Sequence, residues 1–146
     1  FGGRALNSSA SAKYLNSPET EVFQKGKLLF NENNCQKDFK NKNLIIVEGY
    51  MDVISLYENN IKTVVAPVGT ALTENQLLLS WKYAEKPTIM FDGDEAGLRA
   101  SYKSALMSLQ FISPNKFLQF IKLPKNYDPA SPIKIFLSFL KCTNES

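Results

Sequence analysis

The 146-residue sequence contains no histidine and only two cysteines. The absence of histidine excludes Ser-His-Asp and Cys-His catalysis, and it excludes zinc sites that use an imidazole ligand. Cys35 and Cys142 stand 107 positions apart, and neither has a second cysteine nearby. We therefore expect two reduced thiols rather than a metal knuckle or a redox motif. Carboxylates, lysines and hydroxyls remain as the groups available for catalysis.

Long apolar runs are also missing, since none approaches the ~20 residues that a membrane helix needs. The first residues lack the basic-then-apolar pattern of a secretory signal. We therefore expect a soluble, cytoplasmic protein with no membrane contact. The composition, with 44% hydrophobic and 21% charged residues, is typical of a globular chain that can bury a core.

The net charge of +3 is small, but the basic residues are unevenly distributed. Residues 1–42 hold seven basic side chains and four acidic ones, whereas residues 43–146 hold ten of each. Such a bias favours a polyanionic partner, although an excess of lysine is also typical of a solvated surface. Because the sequence starts at Phe1 without an initiator methionine, we expect a piece of a longer protein.

Short apolar runs alternate with amphipathic segments from residue 44 onward. The apolar runs predict strands over 44–47, 62–66, 87–91 and 116–123. The other segments predict helices near 50–59, 73–84, 95–110 and 132–140. This alternation predicts an α/β fold with a mostly parallel central sheet flanked by helices. The polar stretch 31–43 predicts a linker, which divides the chain into a basic segment, 1–42, and a domain, 43–146.

Acidic residues follow two of the predicted strands. Glu48 and Asp52 come after the first strand, and Asp92 and Asp94 come after the third. The carboxyl ends of strands form the ligand-binding edge of an open α/β sheet. Carboxylates that converge there repel one another unless a cation lies between them, and hard divalent cations prefer oxygen ligands. The pattern predicts a Mg2+ site that serves phosphate chemistry.

Each acidic group also has a simpler explanation. An acid at a helix amino terminus often acts as a cap or a dipole partner, and Asp-Gly-Asp is also an ordinary turn. Asp128 follows the fourth strand and can reach the same edge, or it can serve only as a turn former before Pro129. The convergence of several acids on one edge favours the metal site over these local roles.

Cations, hydroxyls and one aromatic ring are concentrated near the start of the chain. These residues are Arg4, Lys13, Tyr14, Asn16, Ser17, Lys25 and Lys27. The mixture suits a sugar-phosphate backbone with a base stacked nearby. A solvated loop has the same composition, so the sequence pattern leaves both interpretations open.

Three motifs resemble those of the Toprim domain of bacterial DnaG-type DNA primases. They are Val47-Glu48-Gly49-Tyr50-Met51-Asp52, Val68-Gly69-Thr70-Ala71-Leu72-Thr73 and Phe91-Asp92-Gly93-Asp94-Glu95-Ala96-Gly97. The upstream segments Phe1-Gly2-Gly3-Arg4 and Lys13-Tyr14-Leu15-Asn16-Ser17-Pro18-Glu19-Thr20, followed by Phe23, Lys25 and Gly26, resemble the adjoining part of the RNA polymerase core of the same family. The resemblance implies a Toprim fold with a short basic amino-terminal segment from the adjoining subdomain.

The resemblance implies a metal-dependent nucleotidyltransferase that acts in DNA replication, as part of the primosome. Such an enzyme is a DNA-directed RNA polymerase that makes an RNA primer on single-stranded DNA from ribonucleoside triphosphates. By position, Glu48, Asp92 and Asp94 would be catalytic, and together with Asp128 they would bind Mg2+ or Mn2+, with Asp52 as a supporting acid. Arg4, Lys13, Tyr14, Asn16, Ser17 and Lys25 would bind nucleotide and DNA. We expect no zinc in this part, and contact with the replicative helicase only through a domain outside it.

The sequence departs from the family at Ala130, where the family commonly has a second aspartate after Asp-Pro. We expect this change to weaken a second metal site without removing the first. Two alternatives follow from the same residues. One is a Toprim nuclease or topoisomerase-like module that breaks phosphodiesters, and the other is a non-catalytic fragment that binds single-stranded DNA.

Overall fold

The computed structural model describes residues 2–4, 14–36, 43–69 and 71–131. The strands in these ranges are β1 (Gly2–Arg4), β2 (Tyr14–Asn16), β3 (Leu29–Phe30), β4 (Ile45–Ile46), β5 (Val64–Pro67), β6 (Thr88–Ile89) and β7 (Gln119–Phe120). The α-helices are α1 (Glu32–Cys35), α2 (Tyr50–Glu58), α3 (Glu74–Tyr83) and α4 (Glu95–Ser108). A single 3-10 turn, Lys25–Lys27, precedes β3.

Five strands form the main sheet in the order β3-β5-β4-β6-β7. β4 pairs in parallel with β5 and with β6, and β6 pairs in parallel with β7. Only β3 runs antiparallel, along β5 at one edge. The predicted α/β class with a mostly parallel sheet is therefore confirmed. This order makes β4 and β6 direct neighbours, so the acids that follow them come to the same edge of the sheet.

Helices cover both faces of the sheet. On one face, Leu77 of α3 packs in a cluster with Ile46 and Ile89. On the opposite face, Leu56 of α2 packs in a cluster with Val47. The central strands are buried on both sides, which explains why they appear in the sequence as continuous apolar runs rather than alternating ones.

The four predicted strands and the first three predicted helices occur in the described residues, but the strands are shorter than predicted. Only Ile45–Ile46 and Thr88–Ile89 form paired strands in the first and third apolar runs, while their neighbours Val47 and Met90 are fully buried beyond them. The N–H groups of Val47 and Met90 still donate to the carbonyl oxygens of Val65 and Ile46 at 2.9 Å, so inter-strand hydrogen bonding continues one residue past each assigned strand. The helix predicted over 132–140 lies outside the described residues.

The linker predicted over 31–43 is wrong for its first part, where α1 lies. The Asn31 side chain donates from Nδ2 to the carbonyl oxygen of Val64 at 2.9 Å. Cys35 is fully buried, and its thiol donates to the same oxygen with a separation of 3.4 Å. The polar composition of this stretch concealed the two side chains that attach it to β5. The domain boundary between residues 42 and 43 remains a prediction, and β3 on its amino-terminal side joins the main sheet.

Near the start of the chain, β1 and β2 form an antiparallel pair. Arg4 stands opposite Tyr14, and Gly2 stands opposite Asn16. The pairing thus brings together three residues of the predicted nucleic-acid site that are separated by about a dozen positions in sequence. None of the helices in the described ranges has both the length and the apolar content to cross a membrane.

The core of α3 provides a test of the packing. Leu77 is fully buried, whereas its neighbour Leu78 is 39% exposed. We expect Leu77→Ala to lower the free energy of unfolding by about 2–5 kcal/mol, because it leaves a cavity beneath the helix. Leu78→Ala is the matched control and should cost less than about 1 kcal/mol. Urea unfolding measures both losses, and equal losses would contradict the assigned helix face.

Candidate metal centre

The first acidic segment lies where β4 gives way to α2. Val47 is fully buried, Glu48 is half-buried, and α2 begins two residues later at Tyr50. The Gly49 N–H donates to Oδ2 of Asp52 at 3.1 Å, so Asp52 satisfies one of the free amide groups at the start of the helix. The capping role considered for this acid is therefore present, and it fixes the Asp52 carboxylate beside the strand end.

The second acidic segment connects β6 to α4. Asp94 caps α4, since its Oδ1 accepts a hydrogen bond from the Gly97 N–H at 2.7 Å. The backbone of Pro124 packs so closely against residue 93 that only glycine fits there, because a Cβ atom would lie 2.0 Å from the Pro124 carbonyl oxygen. The Gly93 N–H also donates to the carbonyl oxygen of Tyr127 at 2.7 Å. These contacts hold the loop after β7, which carries Asp128, against the Asp92–Asp94 turn.

A direct contact joins the two acidic segments. Oε1 of Glu48 accepts a hydrogen bond from the backbone N–H of Asp92 at 3.1 Å. Gly97 in the first turn of α4 packs over this contact, since a Cβ atom there would lie 2.7 Å from the same Glu48 oxygen and 2.2 Å from the Asp92 carbonyl oxygen. Glu48 and Asp92 are thus in contact although they lie 44 positions apart in the sequence.

Two acids at this edge, Glu48 and Asp52, have a raised pKa. Burial raises the pKa of the Glu48 carboxyl, and the negative charges of Asp92 and Asp94 raise it further, although the Asp92 N–H acts in the opposite direction. Burial also raises the pKa of Asp52, from 3.8 to about 6, with contributions from the charges of Asp92, Asp128 and Glu48. The edge therefore carries negative charge that the protein itself does not neutralise well.

The donor set at this edge fits a hard divalent cation. The side chains supply carboxylate oxygens, which Mg2+ prefers, and their mutual repulsion would be relieved by a positive charge between them. Within the described ranges, no three acidic or cysteine side chains already form a compact cluster of ligands. Asp52 and Asp94 are engaged with helix amides, and Asp128 accepts from the Ser131 hydroxyl at 2.8 Å. Each of these hydrogen bonds uses one oxygen of its carboxylate, and a carboxylate has a second oxygen that can bind a metal.

The described residues place the predicted acids at one end of the sheet, with different degrees of contact. Glu48 and Asp92 are in contact, and Asp52 lies within reach of their charges. Asp94 and Asp128 are exposed on the adjoining turns. Ala130, where the resemblance implied an acid, is half-buried and supplies no oxygen ligand from its side chain. The assignment of these acids as metal ligands remains a prediction.

The residues predicted to bind nucleotide and DNA fall into two groups. Arg4, Tyr14 and Asn16 lie on the β1-β2 pair, and Ser17 follows it directly. Lys25 lies in the 3-10 turn. Lys13 lies outside the described residues. The role of all six residues remains a prediction.

The sequence interpretation assigned no role to Gln76, although the structure buries this side chain completely. Thr73 caps α3 by accepting from the Gln76 N–H at 3.2 Å, and Gln76 returns the contact by accepting from the Thr73 N–H at 3.0 Å. The spacing Thr-x-x-Gln is the sequence pattern of a capping box, so this helix start was detectable. The further contacts of Gln76 with residues 48 and 51 positions earlier had no local signal.

Two protein families match successive parts of the chain. Residues 42–114 match the Toprim domain family. Residues 1–36 match the family described as the amino-terminal domain of the DNA primase catalytic core. A protein named DNA primase from Rickettsia felis is 42% identical over 130 residues, which cover 88% of this chain. The chain therefore spans only 22% of the length of that relative.

Solved structures agree with these matches. A crystal structure of a DNA primase domain from Pseudomonas aeruginosa superposes with a TM-score of 0.88 at 36% identity, and the match covers 96% of this chain and 44% of the other. A structure of the DnaG primase catalytic domain bound to single-stranded DNA superposes with a TM-score of 0.85 at 33% identity. That match covers 99% of this chain and 46% of the other.

The raised pKa of Asp52 predicts a pH dependence of stability in metal-free buffer. The folded state binds this proton more tightly than the unfolded state, since the pKa rises from 3.8 to about 6 on folding. The resulting stabilisation is complete below pH 3.8 and is lost as the pH rises through about 6. Asp52→Asn keeps an oxygen acceptor for the Gly49 amide but cannot ionise.

We therefore expect Asp52→Asn to unfold less readily than the wild type at pH 8, by about 1–2 kcal/mol after allowance for solvent screening. Its stability should also change less between pH 4 and 6. Chemical unfolding from pH 4 to pH 8, with a chelator present, measures both effects. Glu58→Gln, an exposed acid at the far end of the same helix, is the control and should follow the wild-type curve. If Asp52→Asn is less stable than the wild type at pH 8, the inferred repulsion between Asp52 and its acidic neighbours is wrong.

Proposed function

Because the chain belongs to the bacterial DnaG-type DNA primase family, with a Toprim domain and an adjoining part of the catalytic core, we propose that it contributes to template-directed RNA primer synthesis. In this reaction a DNA-directed RNA polymerase joins ribonucleoside triphosphates on single-stranded DNA. The chain spans 22% of the length of a relative named DNA primase. We therefore propose, for this chain, a part in the activity of a longer protein. We place the protein in the cytoplasm, where DNA replication requires it.

One observation supports this proposal most strongly. Glu48 from the end of β4 meets the backbone of Asp92 from the end of β6, and Asp52 with its raised pKa lies beside them. Acids that follow two neighbouring strands therefore act on one another electrostatically at the edge where α/β folds bind ligands. Repulsion of this kind destabilises the fold, and it is useful where a cation must bind.

The acidic residues would hold the metal that nucleotidyl transfer requires. Glu48, Asp92, Asp94 and Asp128 would supply oxygen ligands to Mg2+ or Mn2+, and Asp52 would support them by its charge. The bound metal would lower the pKa of the primer 3′-hydroxyl and neutralise the triphosphate. The protein residues would position the reacting groups. Because Gly93 and Gly97 lack a side chain, the backbone carbonyl groups of Pro124 and Asp92 can pack closely against them. Zinc has no role in this part of the chain.

The basic amino-terminal segment would bind the template and the incoming nucleotide. Arg4, Lys13, Tyr14, Asn16, Ser17 and Lys25 supply charges, hydroxyls and an aromatic ring suited to a single strand. The similarity to a DnaG catalytic domain bound to single-stranded DNA supports this assignment. The RNA primer would be the product, and the replicative helicase would bind a domain outside this chain.

The comparisons favour primer synthesis over phosphodiester cleavage. Toprim acids alone are compatible with a nuclease or a topoisomerase-like module. The match of residues 1–36 to the primase catalytic core, directly upstream of the Toprim match, supports the polymerase instead.

The proposal predicts a metal-dependent synthesis that depends on Asp92. We expect the chain, with Mn2+ and a single-stranded template, to incorporate labelled ribonucleotides only weakly, because it spans 22% of a full-length relative, and to leave supercoiled plasmid intact. Asp92→Asn should reduce incorporation by about 100-fold or more, since charge stabilisation by a metal is worth several kcal/mol. Incorporation and plasmid nicking are measured on the same preparation by gel electrophoresis.

Glu85→Gln is the matched control, because Glu85 is exposed and precedes β6 at the opposite edge of the sheet. It should incorporate nucleotides like the wild type. Unfolding curves for Asp92→Asn establish that lost activity does not come from lost structure. Metal-dependent nicking of the plasmid without nucleotide incorporation would contradict the proposal and indicate a nuclease. The absence of both activities would favour the non-catalytic alternative.

A further inference from the structure

Gln76 connects the Toprim helix α3 to the basic segment that precedes the main sheet. Its Nε2 donates to the carbonyl oxygens of Lys25 at 2.9 Å and Leu28 at 2.8 Å. Its Oε1 accepts from the Thr73 N–H at 3.0 Å. The side chain is fully buried, and both of its N–H donors and its carbonyl oxygen form hydrogen bonds. A buried amide bonded in this way fixes the atoms that it contacts, because each lost bond would leave a polar group without water.

Two neighbouring contacts hold the same turn. The Thr73 hydroxyl donates to the carbonyl oxygen of Gly26 at 2.5 Å. Oε1 of Glu19 accepts from the Lys25 N–H at 2.8 Å. The backbone of the Lys25–Lys27 turn is therefore held from both sides. The helix end that holds it is itself immobilised, since the next residue, Leu77, is fully buried in the core of the sheet.

The far end of α3 is attached to the amino-terminal segment as well. The Tyr83 hydroxyl donates to Oε1 of Glu32, and the Gln36 side chain donates to the Tyr83 oxygen at 2.9 Å. Both ends of α3 thus contact the segment before β4. A helix held at two points cannot rotate freely about either, so the turn keeps a fixed orientation relative to the Toprim domain.

The two lysines of this turn are the groups whose position these contacts determine. Lys27 is exposed and Lys25 is half-buried. Neither forms an ion pair with any residue in the described ranges, where the one pair is Arg99 with Glu95. Their charges are therefore available to an external anion. A lysine whose backbone is already ordered loses less conformational entropy on binding than one on a mobile loop.

We propose that Gln76, assisted by Thr73, is a positioning residue that orders Lys25 and Lys27 to bind the phosphates of a single nucleic-acid strand. The inference rests on the proposed function and specifies which Toprim residues control the basic segment. Gln76 acts through the turn and does not touch the strand. Its removal should therefore weaken binding only when the two lysines are present.

A double-mutant cycle on the 146-residue chain tests the inference. The readout is the affinity for fluorescein-labelled oligo-dT, measured by anisotropy over a range of salt concentrations. We expect Lys25→Ala with Lys27→Ala to reduce the slope of log affinity against log salt by about 1.4, since each phosphate contact on a single strand contributes ~0.7. Gln76→Met should reproduce part of this loss, and should add nothing in the chain that lacks both lysines.

Asn75→Ala is the matched control, because Asn75 is exposed and adjacent on the same helix. It should bind oligo-dT like the wild type. Mn2+ affinity should be unchanged in Gln76→Met, which distinguishes a local effect on the turn from general loss of structure. If Gln76→Met does not fold, Thr73→Val is used in its place, and Thr73→Ser, which keeps the hydroxyl, should restore the wild-type slope.

The outcomes separate this inference from the proposed function. If the wild type does not bind oligo-dT at all, both are overturned. If the wild type binds and the lysine variant loses salt dependence, but folded Gln76→Met binds like the wild type, only the positioning role is overturned. The positioning role is also overturned if Gln76→Met lowers the affinity for oligo-dT by the same factor in the chain that lacks both lysines.

Discussion

Repulsion among carboxylates at one edge of the sheet is the constraint on which the rest of the structure depends. Glu48 and Asp92 follow neighbouring parallel strands, so pairing between β4 and β6 brings them into contact. Burial and neighbouring negative charge raise the pKa of Glu48, and that of Asp52 rises to about 6. The fold keeps these groups together at a cost in stability, which a divalent cation would remove.

The surrounding structure opposes this repulsion by backbone contacts. Amide groups at the starts of α2 and α4 donate to Asp52 and Asp94, and the Asp92 amide donates to Glu48. Gly93 and Gly97 permit approaches that a side chain would block. Elsewhere, α3 contacts the basic segment through Gln76. The acids are thus attached to the main sheet through its strand ends, and the Lys25–Lys27 turn is attached to it through α3.

The acidic edge was predictable from the sequence because continuous apolar runs identify strands buried on both faces, and Glu48 and Asp92 follow two of them. The helix over Glu74–Tyr83 was predictable from its good helix formers. Other features depend on distant partners. Cys35 and Asn31 looked like parts of a polar linker because their acceptor, the Val64 carbonyl oxygen, lies about thirty positions away. The contacts of Gln76 with the Lys25–Lys27 turn could not be predicted from the sequence either, because a capping pattern involves only residues within the first turn of the helix.

Paramagnetic broadening by Mn2+ in a 1H–15N NMR spectrum of the chain tests the central claim most directly. If a metal binds at this edge, the amide signals of Gly49, Gly93 and Gly97 should broaden first, because these residues surround the carboxylates. The amide of Glu85, at the opposite edge of the sheet, should broaden last, and added Mg2+ should reverse the effect. Uniform broadening, or broadening centred away from Glu48 and Asp92, would contradict a metal site at this edge.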